Sequence, residues 1–162
     1  MKLFRLSSPL GAMLLSEEGG QICGLHLEGQ KHLPRELPCP EPCLSPLALQ
    51  VQHWLDSYFE GKRPDPALLP LAPGGSPFQR RLWAELLQIP YGESRSYREL
   101  AEGLGSSPRG VGAAIGRNPL LILIPCHRVL SAGQGIGGWC GGIEAKRRLL
   151  ELEEHTSELQ SP

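Results

Sequence analysis

The segment SPFQRRLWAELLQIPYGESRSYRELAEGLGSSPRGVGAAIG, residues 76–116, carries the start signals of three successive helices. Ser76 is followed by proline and, at the third position, by glutamine, which is the pattern of a capping box. Ser96 repeats the pattern with glutamate, and Ser107 precedes a proline at the first helical position. The segment therefore predicts three helices, of which the last two are joined by a short glycine-containing turn, as in a helix-turn-helix motif.

The third predicted helix is unusual because it is rich in glycine. Each of Gly110, Gly112 and Gly116 costs about 1 kcal/mol in helix propensity relative to alanine. Small residues allow another group to approach the backbone closely, and that group is either a second helix or the backbone of a nucleic acid. Arg109 and Arg117 flank the glycines, so contact with DNA phosphates is at least as well supported as helix packing.

The N-terminal half is predicted to be a separate small α+β unit. Three strands of an antiparallel meander are expected at Lys2–Leu6, Ala12–Leu15 and Gln21–Leu27. Apolar residues at three- and four-residue spacing predict an amphipathic helix over Leu47–Phe59. The proline-rich residues 63–77 are typical of a linker. We therefore expect one domain over residues 1–74 and a second over residues 75–162.

Composition and charge limit the class of protein. The 162 residues are 40% hydrophobic and 20% charged, which suits one domain of ordinary size or two small ones. Sixteen Lys and Arg against seventeen Asp and Glu leave a net charge of −1, which excludes a uniformly basic nucleic-acid coat. Residues 76–150 nevertheless contain ten basic and five acidic side chains, a net of +5. This basic stretch indicates either a polyanionic partner or an ordinary solvated face.

Membrane and secretory classes are not indicated. No apolar run reaches the roughly 18 residues that cross a bilayer. The opening MKLFRLSSPLGAMLL lacks the continuous apolar core of a signal peptide. Five cysteines, an odd number at irregular spacing, favour a reducing compartment over a disulfide framework. We expect a cytoplasmic protein without a membrane partner.

A second informative stretch is NPLLILIPCHRV, residues 118–129, where an apolar run ends in proline, cysteine, histidine and arginine. A thiol reacts as the thiolate, and a neighbouring histidine or arginine lowers its pKa into the range of roughly 3.5–7.5. Adjacent side chains of a strand point in opposite directions, so His127 can serve Cys126 only if the backbone turns, as Pro125 allows. On this pair alone, an inert buried cysteine is the better supported interpretation.

The wider pattern closely resembles the O6-alkylguanine-DNA alkyltransferases, also called methylated-DNA–protein-cysteine methyltransferases. The matching features are Asn118-Pro119, Pro125-Cys126-His127-Arg128-Val129, Gly137, Trp139, Gly141-Gly142, Lys146, Leu149-Leu150 and Glu153. The resemblance runs over about residues 76–153 and continues more weakly through residues 47–61 and the turn at residues 8–11. The Pro-Cys-His-Arg motif between its Asn-Pro and Gly-Gly flanks is highly specific.

This resemblance implies an α+β fold, with a small N-terminal α/β domain of ribonuclease-H-like type. A helical C-terminal domain of winged-helix-like helix-turn-helix type would follow it. The implied function is DNA repair. O6-alkylguanine, with O4-alkylthymine as a further candidate lesion, is flipped out of duplex DNA, and its alkyl group moves irreversibly to Cys126 in a single turnover. The implied partner is double-stranded DNA bound by a monomer, with cooperative binding left open. No cofactor is required.

The resemblance also assigns the catalytic residues. Cys126 is the alkyl acceptor. Glu153 orients His127, which draws the proton from Cys126 through a water molecule, and Asn118 structures the turn. Without the resemblance, Glu153 would be interpreted as a surface glutamate of a helix.

Further residues are implied to contact DNA or the substrate. Arg109 enters the base stack, and Tyr97 donates a hydrogen bond to the guanine. The implied set is completed by Arg98, Arg128, the backbones of Cys126, Val129 and Cys140, and Trp139 on the pocket wall. Trp139 stands where most family members have tyrosine, which puts the accepted alkyl groups in question. The plainer alternatives are a solvated Arg109 and a half-buried packing role for Tyr97.

Two other classes of function remain open on the sequence. One is a helix-turn-helix lesion sensor in which Cys126 is incidental, and the other is a thiol-dependent hydrolase that uses Cys126 and His127. In the N-terminal half, Cys39 and Cys43 with Cys23 and His26 could supply four zinc ligands, but the intervening prolines make that spacing unusual. Free thiols or a local Cys39–Cys43 disulfide are the simpler alternatives.

Overall fold

The N-terminal half begins with a three-stranded antiparallel sheet. The computed structural model describes residues 1–31, 33–131, 139 and 141–160, with side chains described as far as Thr156. The strands are β1 (Lys2–Leu6), β2 (Met13–Glu18) and β3 (Gln21–Leu27), in the order β1-β2-β3. The predicted meander is therefore confirmed, although β2 continues past the predicted Leu15. The strand runs on because Gly19 and Gly20, both at positive φ, form the tight turn into β3.

Helix α1 (Pro46–Phe59) packs beside this sheet, close to the predicted range. The Ser45 side chain accepts a hydrogen bond from the backbone N–H of Ala48 and so caps the first turn. Val51, Trp54, Leu55 and Tyr58 of the predicted apolar stripe are buried, together with Ala48. Leu47, the first residue of that predicted stripe, is only half-buried. The N-terminal half is thus a sheet with one helix against it.

The proline-rich residues 63–77 are more structured than the predicted linker. They contain a short 3₁₀ turn at Pro66–Leu68. The chain then runs along β3, where Ile22 donates to the carbonyl of Pro70 at 2.8 Å and accepts from the N–H of Ala72 at 2.8 Å. Proline in this stretch does not prevent the pairing, because the residues that donate are not the prolines.

The C-terminal half contains the three predicted helices and one more. These are α2 (Pro77–Leu87), α3 (Tyr97–Leu104), α4 (Pro108–Ile115) and α5 (Ile143–Gln160). Ser76, Ser96 and Ser107 each cap the helix that follows, and at Ser76 both hydrogen bonds of the capping box form. None of the described helices is both long and apolar enough to cross a bilayer.

The two halves share one hydrophobic core, and the segment that leads to Cys126 crosses it. Leu25 of β3 donates to the carbonyl of Pro119 at 2.8 Å and accepts from Leu121 at 3.0 Å. All side chains over residues 120–124 are buried. Ile122 adopts φ +71°, a region that a β-branched residue occupies only where its surroundings enforce it. The N-terminal sheet therefore holds the approach to the cysteine in place.

A short parallel pair follows the cysteine. Strand β4 (Arg95–Ser96) pairs with β5 (Val129–Leu130). This pairing fixes the segment after the Pro-Cys-His-Arg motif against the start of α3.

Candidate active site

The Pro-Cys-His-Arg segment folds as a tight turn inside the protein. Cys126–Arg128 form one 3₁₀ turn after Pro125, and the side chains of Cys126 and His127 are both buried. The expected change of backbone direction at Pro125 is confirmed. Because the chain turns here, these two side chains are not forced to opposite faces, as they would be in a strand.

The amide of Asn118 donates to the sulfur of Cys126. Asn118 is buried, and its Nδ2 lies 2.9 Å from Cys126 Sγ and 3.0 Å from the carbonyl oxygen of Ile124. Its Oδ1 accepts from the backbone N–H of Leu120 at 2.9 Å, which fixes the orientation of the amide. The Asn118 side chain thus holds together the two ends of the segment between Pro119 and Pro125. It also directs an N–H at the sulfur of Cys126, which favours the thiolate.

The indole of Trp139 is the second donor to the sulfur. Its Nε1 lies 2.9 Å from Cys126 Sγ. The same ring meets His127 edge-on, with 6.1 Å between the ring centroids. Trp139 therefore touches both members of the Cys-His pair, and the hydroxyl lost relative to tyrosine is replaced by an N–H aimed at the sulfur.

Glu153 is buried and accepts hydrogen bonds from several elements of the fold. Its Oε2 lies 2.6 Å from His127 Nε2, and its Oε1 lies 2.7 Å from Arg128 Nε. Oε1 also accepts from the backbone N–H of Gly92 at 3.1 Å. Burial acts to raise the pKa of Glu153, but the hydrogen bonds and charges of His127 and Arg128 outweigh it and hold that pKa far below its usual range. The charge of Arg128 is permanent, so Glu153 is ionised even when His127 is neutral.

The partners of His127 determine which of its nitrogens can act as a base. An ionised carboxylate only accepts hydrogen bonds, so Nε2 carries the proton that faces Glu153. The lone pair of a neutral ring is then on Nδ1, which is buried and has no hydrogen-bond partner among the described residues. Burial lowers the pKa of His127, against the opposing effect of Glu153, and the charges of Arg128 and Lys146 lower it further. His127 is therefore a neutral base at pH 7.

The inward face of α5 is polar. Its buried residues follow helical spacing: Lys146, Leu149, Glu153 and Thr156. The Nζ of Lys146 donates to the carbonyl oxygen of Val129 at 2.6 Å and lies 5.9 Å from the centre of the Tyr97 ring. A buried lysine is rare and is held by such partners. Here α5 supplies both a cation and an anion to the interior beneath Cys126.

Helices α3 and α4 present arginines to solvent. Arg98, Arg109 and Arg117 are exposed. Arg98 forms an exposed ion pair with Glu102, at 3.5 Å. The small residues Ala113 of α4 and Gly116, which with Arg117 directly follows that helix, are also exposed. This surface carries positive charge and small side chains between its arginines. Both features suit a surface that approaches a DNA groove.

Tyr97 and Gly112 explain part of the glycine content of α4. Tyr97 begins α3 and is half-buried, and a Cβ added to Gly112 would lie 3.8 Å from its ring. Gly112 therefore lies within van der Waals distance of Tyr97, whereas Gly116 faces outward. Packing against another helix therefore explains Gly112, while contact of the exposed Gly116 with a nucleic acid stays a prediction.

The N-terminal cysteines do not form a metal cluster or a disulfide within the described part of the chain. Cys39 and Cys43 are exposed free thiols, and Cys23 is a half-buried free thiol. No group of three or more His, Cys, Asp or Glu among the described residues is arranged to hold a metal ion. Of the alternatives for Cys39 and Cys43, free thiols match the structure.

Comparison with known proteins gives two family matches. The ribonuclease-like domain of 6-O-methylguanine DNA methyltransferase matches residues 4–73, and the DNA binding domain of the same family matches residues 77–155. The chain belongs to the 6-O-methylguanine DNA methyltransferase family. The family inferred from the motif around Cys126 is thereby confirmed, as is the α+β fold class with a helical second half. The division at residues 74 and 75 stays a prediction.

Individual relatives in this methyltransferase family match almost the whole chain. The methylated-DNA–protein-cysteine methyltransferase of Mycobacterium leprae is 40% identical over 154 residues, which cover 93% of this chain and 90% of the relative. The crystal structure of Mycobacterium tuberculosis O6-methylguanine methyltransferase has a TM-score of 0.83 at 37% identity, covering 99% and 94% of the two chains. The Mycobacterium tuberculosis OGT structure in complex with DNA has a TM-score of 0.82 at 36% identity, covering 96% and 94%.

Arg128, Val129 and Cys140 are three of the residues expected to contact DNA or substrate. The Arg128 guanidinium points inward: Nη1 donates to the carbonyl of Ile89 at 2.7 Å, and Nε donates to Glu153. This placement favours a supporting role inside the protein over the predicted DNA contact. The Val129 carbonyl already accepts from Lys146, so a base could use only its second lone pair. Cys140, like Gly137, lies outside the described residues.

Two residues of the site were not predicted. Tyr58 of α1 donates to Glu153 Oε2 at 2.5 Å, and Lys146 lies buried beneath Tyr97. Each carries a polar group on a helix face that a sequence pattern assigns either to the apolar core or to the solvent-exposed surface. Lys146 was part of the quoted motif, and its position one turn before Leu149-Leu150 was the available signal. No local signal connects Tyr58 with residues of the C-terminal half.

Proposed function

We propose that this protein is a methylated-DNA–protein-cysteine methyltransferase that repairs O6-alkylguanine in duplex DNA by moving the alkyl group to Cys126. The observation that carries the proposal is the environment of the sulfur. Two N–H donors, from Asn118 and Trp139, point at Sγ, and a buried His127–Glu153 pair lies beside it. An inert core cysteine requires none of these groups. Family membership and the names of the relatives support the same activity.

The proton moves first in the proposed mechanism. Nδ1 of His127 takes the proton of the Cys126 thiol through one water molecule, while Glu153 stabilises the imidazolium through Nε2. Glu153 itself stays ionised, because its pKa is held far below that of histidine by Arg128 and its other donors. The role of Glu153 is therefore to orient and stabilise the ring, as in a catalytic triad.

The alkyl transfer is a displacement at carbon. The thiolate forms a bond to the alkyl carbon as the bond between that carbon and guanine O6 breaks. The proton that left the thiol is balanced by one that guanine takes up, so the products are a thioether and unmodified guanine. A thioether carries no charge and no hydrolysable bond, which makes the protein a single-turnover reagent. No metal or organic cofactor enters these steps.

The lesion must leave the base stack to reach a buried sulfur. The exposed arginines of α3 and α4 support a duplex-binding face, with the outward Ala113 and Gly116 allowing close approach. Arg109 is proposed to fill the gap that the flipped nucleotide leaves, since its planar guanidinium suits both stacking and phosphates. Tyr97, with the Lys146 cation behind its ring, is proposed to contact the guanine. Binding as a monomer and cooperative binding are parts of this proposal that a titration of lesion-bearing duplex can test. Repair of O4-alkylthymine is a further part, and it requires a duplex that carries that lesion.

The test uses a duplex that carries O6-methylguanine with a radiolabelled methyl group. We expect one equivalent of label per protein, recovered on the peptide that contains Cys126. Cys126→Ser should take up no label and should still bind the duplex. Binding without transfer by the wild-type protein would indicate a lesion sensor instead. Release of label over many turnovers would indicate a thiol-dependent hydrolase.

A further inference from the structure

The N-terminal half supplies one side chain to the hydrogen-bond network of the active site. Tyr58 lies on α1, 95 residues before Glu153 in sequence, and its hydroxyl donates to Glu153 Oε2 at 2.5 Å. The side chain is 1% exposed. Its ring stacks on Trp54 at 5.7 Å and meets Phe59 and Tyr91 edge-on at 5.1 and 5.9 Å. The hydroxyl is therefore held rigidly against the carboxylate.

Tyr58 and His127 share the same oxygen of Glu153. Oε2 accepts from Tyr58 at 2.5 Å and from His127 Nε2 at 2.6 Å, and more weakly from Arg128 Nη2 at 3.2 Å. The other oxygen is occupied by Arg128 Nε and the N–H of Gly92. An ionised carboxylate is an acceptor only, so Tyr58 is the donor in this contact. Tyr58, His127 and Arg128 therefore share the negative charge of this one oxygen.

We propose that Tyr58 is a positioning residue that tunes His127 through Glu153, by drawing negative charge away from the His127–Glu153 hydrogen bond. The inference rests on the proposed function, in which neutral His127 takes the thiol proton. It assigns to the ribonuclease-like half a direct part in the acid-base chemistry of the other half.

Tyr58 acts on the stability of the His127 imidazolium. A carboxylate stabilises a protonated histidine more strongly when fewer other donors occupy its oxygen. With Tyr58 bound, part of the charge of Oε2 is neutralised and His127 stays neutral to lower pH. Burial and the charge of Glu153 raise the pKa of Tyr58 well above its ordinary value, so its hydroxyl stays protonated over the working range.

Several charged or titratable groups act on this pair from every side. They are Arg128 in the turn, Lys146 on α5, Tyr91 in the loop before β4, and Tyr58 on α1. Tyr58 suits the test best, because Tyr58→Phe removes one hydroxyl and keeps the ring stack. Tyr91→Phe is the matched control, since it removes a hydroxyl from the same aromatic cluster that makes no hydrogen bond to Glu153 in the described structure.

The experiment measures the rate of alkyl transfer from free O6-benzylguanine as a function of pH. In Tyr58→Phe we expect the acid limb of the profile to move to higher pH. The rate on the acid limb should fall about three- to tenfold, while the rate on the plateau at higher pH should change by less than about twofold. Tyr91→Phe should follow the wild-type profile.

A purely structural role for Tyr58 gives a different result. It would lower the rate equally at all pH values and leave the acid limb in place, and this outcome would overturn the inference. If Tyr58→Phe does not fold, incorporation of a fluorinated tyrosine at position 58 provides the second variant. Its hydroxyl is a stronger donor, so the acid limb should move to lower pH, and an unchanged limb again overturns the inference. Absence of any transfer by the wild-type protein would instead refute the proposed function.

Discussion

Replacement of Glu153 by glutamine should destabilise the protein strongly. The carboxylate is 2% exposed and is ion-paired with Arg128, whose side chain is 11% exposed. Removing one partner of a buried ion pair costs about 3–5 kcal/mol, because the remaining charge is left without compensation. In Glu153→Gln, moreover, the new amide N–H₂ faces groups that already donate. Domains of this kind have total stabilities of about 5–15 kcal/mol, so the loss is a large fraction of the whole.

The assay is urea denaturation at pH 7 followed by circular dichroism. Glu154→Gln is the matched control, because it makes the same chemical change one residue further along α5 on an exposed side chain. We expect the control to change the free energy of unfolding by less than about 0.5 kcal/mol. A loss below about 1 kcal/mol in Glu153→Gln, with an unchanged denaturant slope, would refute the account of Glu153 as a buried, ionised acceptor.

Three further predictions concern acid stability, the buried lysine and the DNA face. The folded-state pKa of Glu153 lies below its unfolded value of 4.5, so its contribution to stability is present above that pH and is lost as the pH falls. The free energy of unfolding should therefore fall less steeply with decreasing pH in Glu153→Gln than in the wild-type protein, and an identical slope would contradict this. Lys146→Met removes a charged donor from the Val129 carbonyl and should lower the free energy of unfolding by about 1.5–3 kcal/mol, whereas a loss no larger than that of an exposed lysine would contradict the buried contact. Arg109→Ala should slow repair of a duplex lesion by about 10- to 100-fold and leave the reaction with free O6-benzylguanine nearly unchanged, since only the duplex requires base extrusion; equal losses on both substrates would argue against intercalation.

Local signals predicted most helix starts and the N-terminal sheet. Ser76, Ser96 and Ser107 cap their helices as expected, because a capping hydrogen bond involves atoms only two or three residues apart. The meander of the first strands was predicted from short segments bounded by the turn at residues 8–11 and by Gly19-Gly20, which are local signals as well.

The extent of helix α5 was not predicted, although Glu153 was expected to lie on a helix and was placed in the site by resemblance. Its buried face consists of Lys146, Leu149, Glu153 and Thr156, of which only one is apolar. Ala145 and Leu152 pack against the core but are only partly buried, so the apolar pattern of this helix is weak and polar residues interrupt it. The polar residues are buried because partners from other elements satisfy them, and those partners are distant in sequence.

The inward direction of Arg128 and the contact of Tyr58 were also beyond local reasoning. The family resemblance implied a DNA or substrate contact for Arg128, but the 3₁₀ turn directs its guanidinium to Glu153 and Ile89. Tyr58 was correctly placed on the apolar stripe of α1, while its hydroxyl partner lies on α5. Both outcomes depend on how the two halves pack, which composition and spacing do not encode.

The proposed alkyl transfer is tested most directly by the fate of the Cys126 sulfur. Intact protein mass spectrometry after incubation with an excess of duplex containing O6-methylguanine measures it in one step. We predict that the whole population gains a single methyl group, that the modified peptide contains Cys126, and that longer incubation adds no more. A protein of unchanged mass, or a methyl group on another residue in a chain with intact Cys126, would contradict the account.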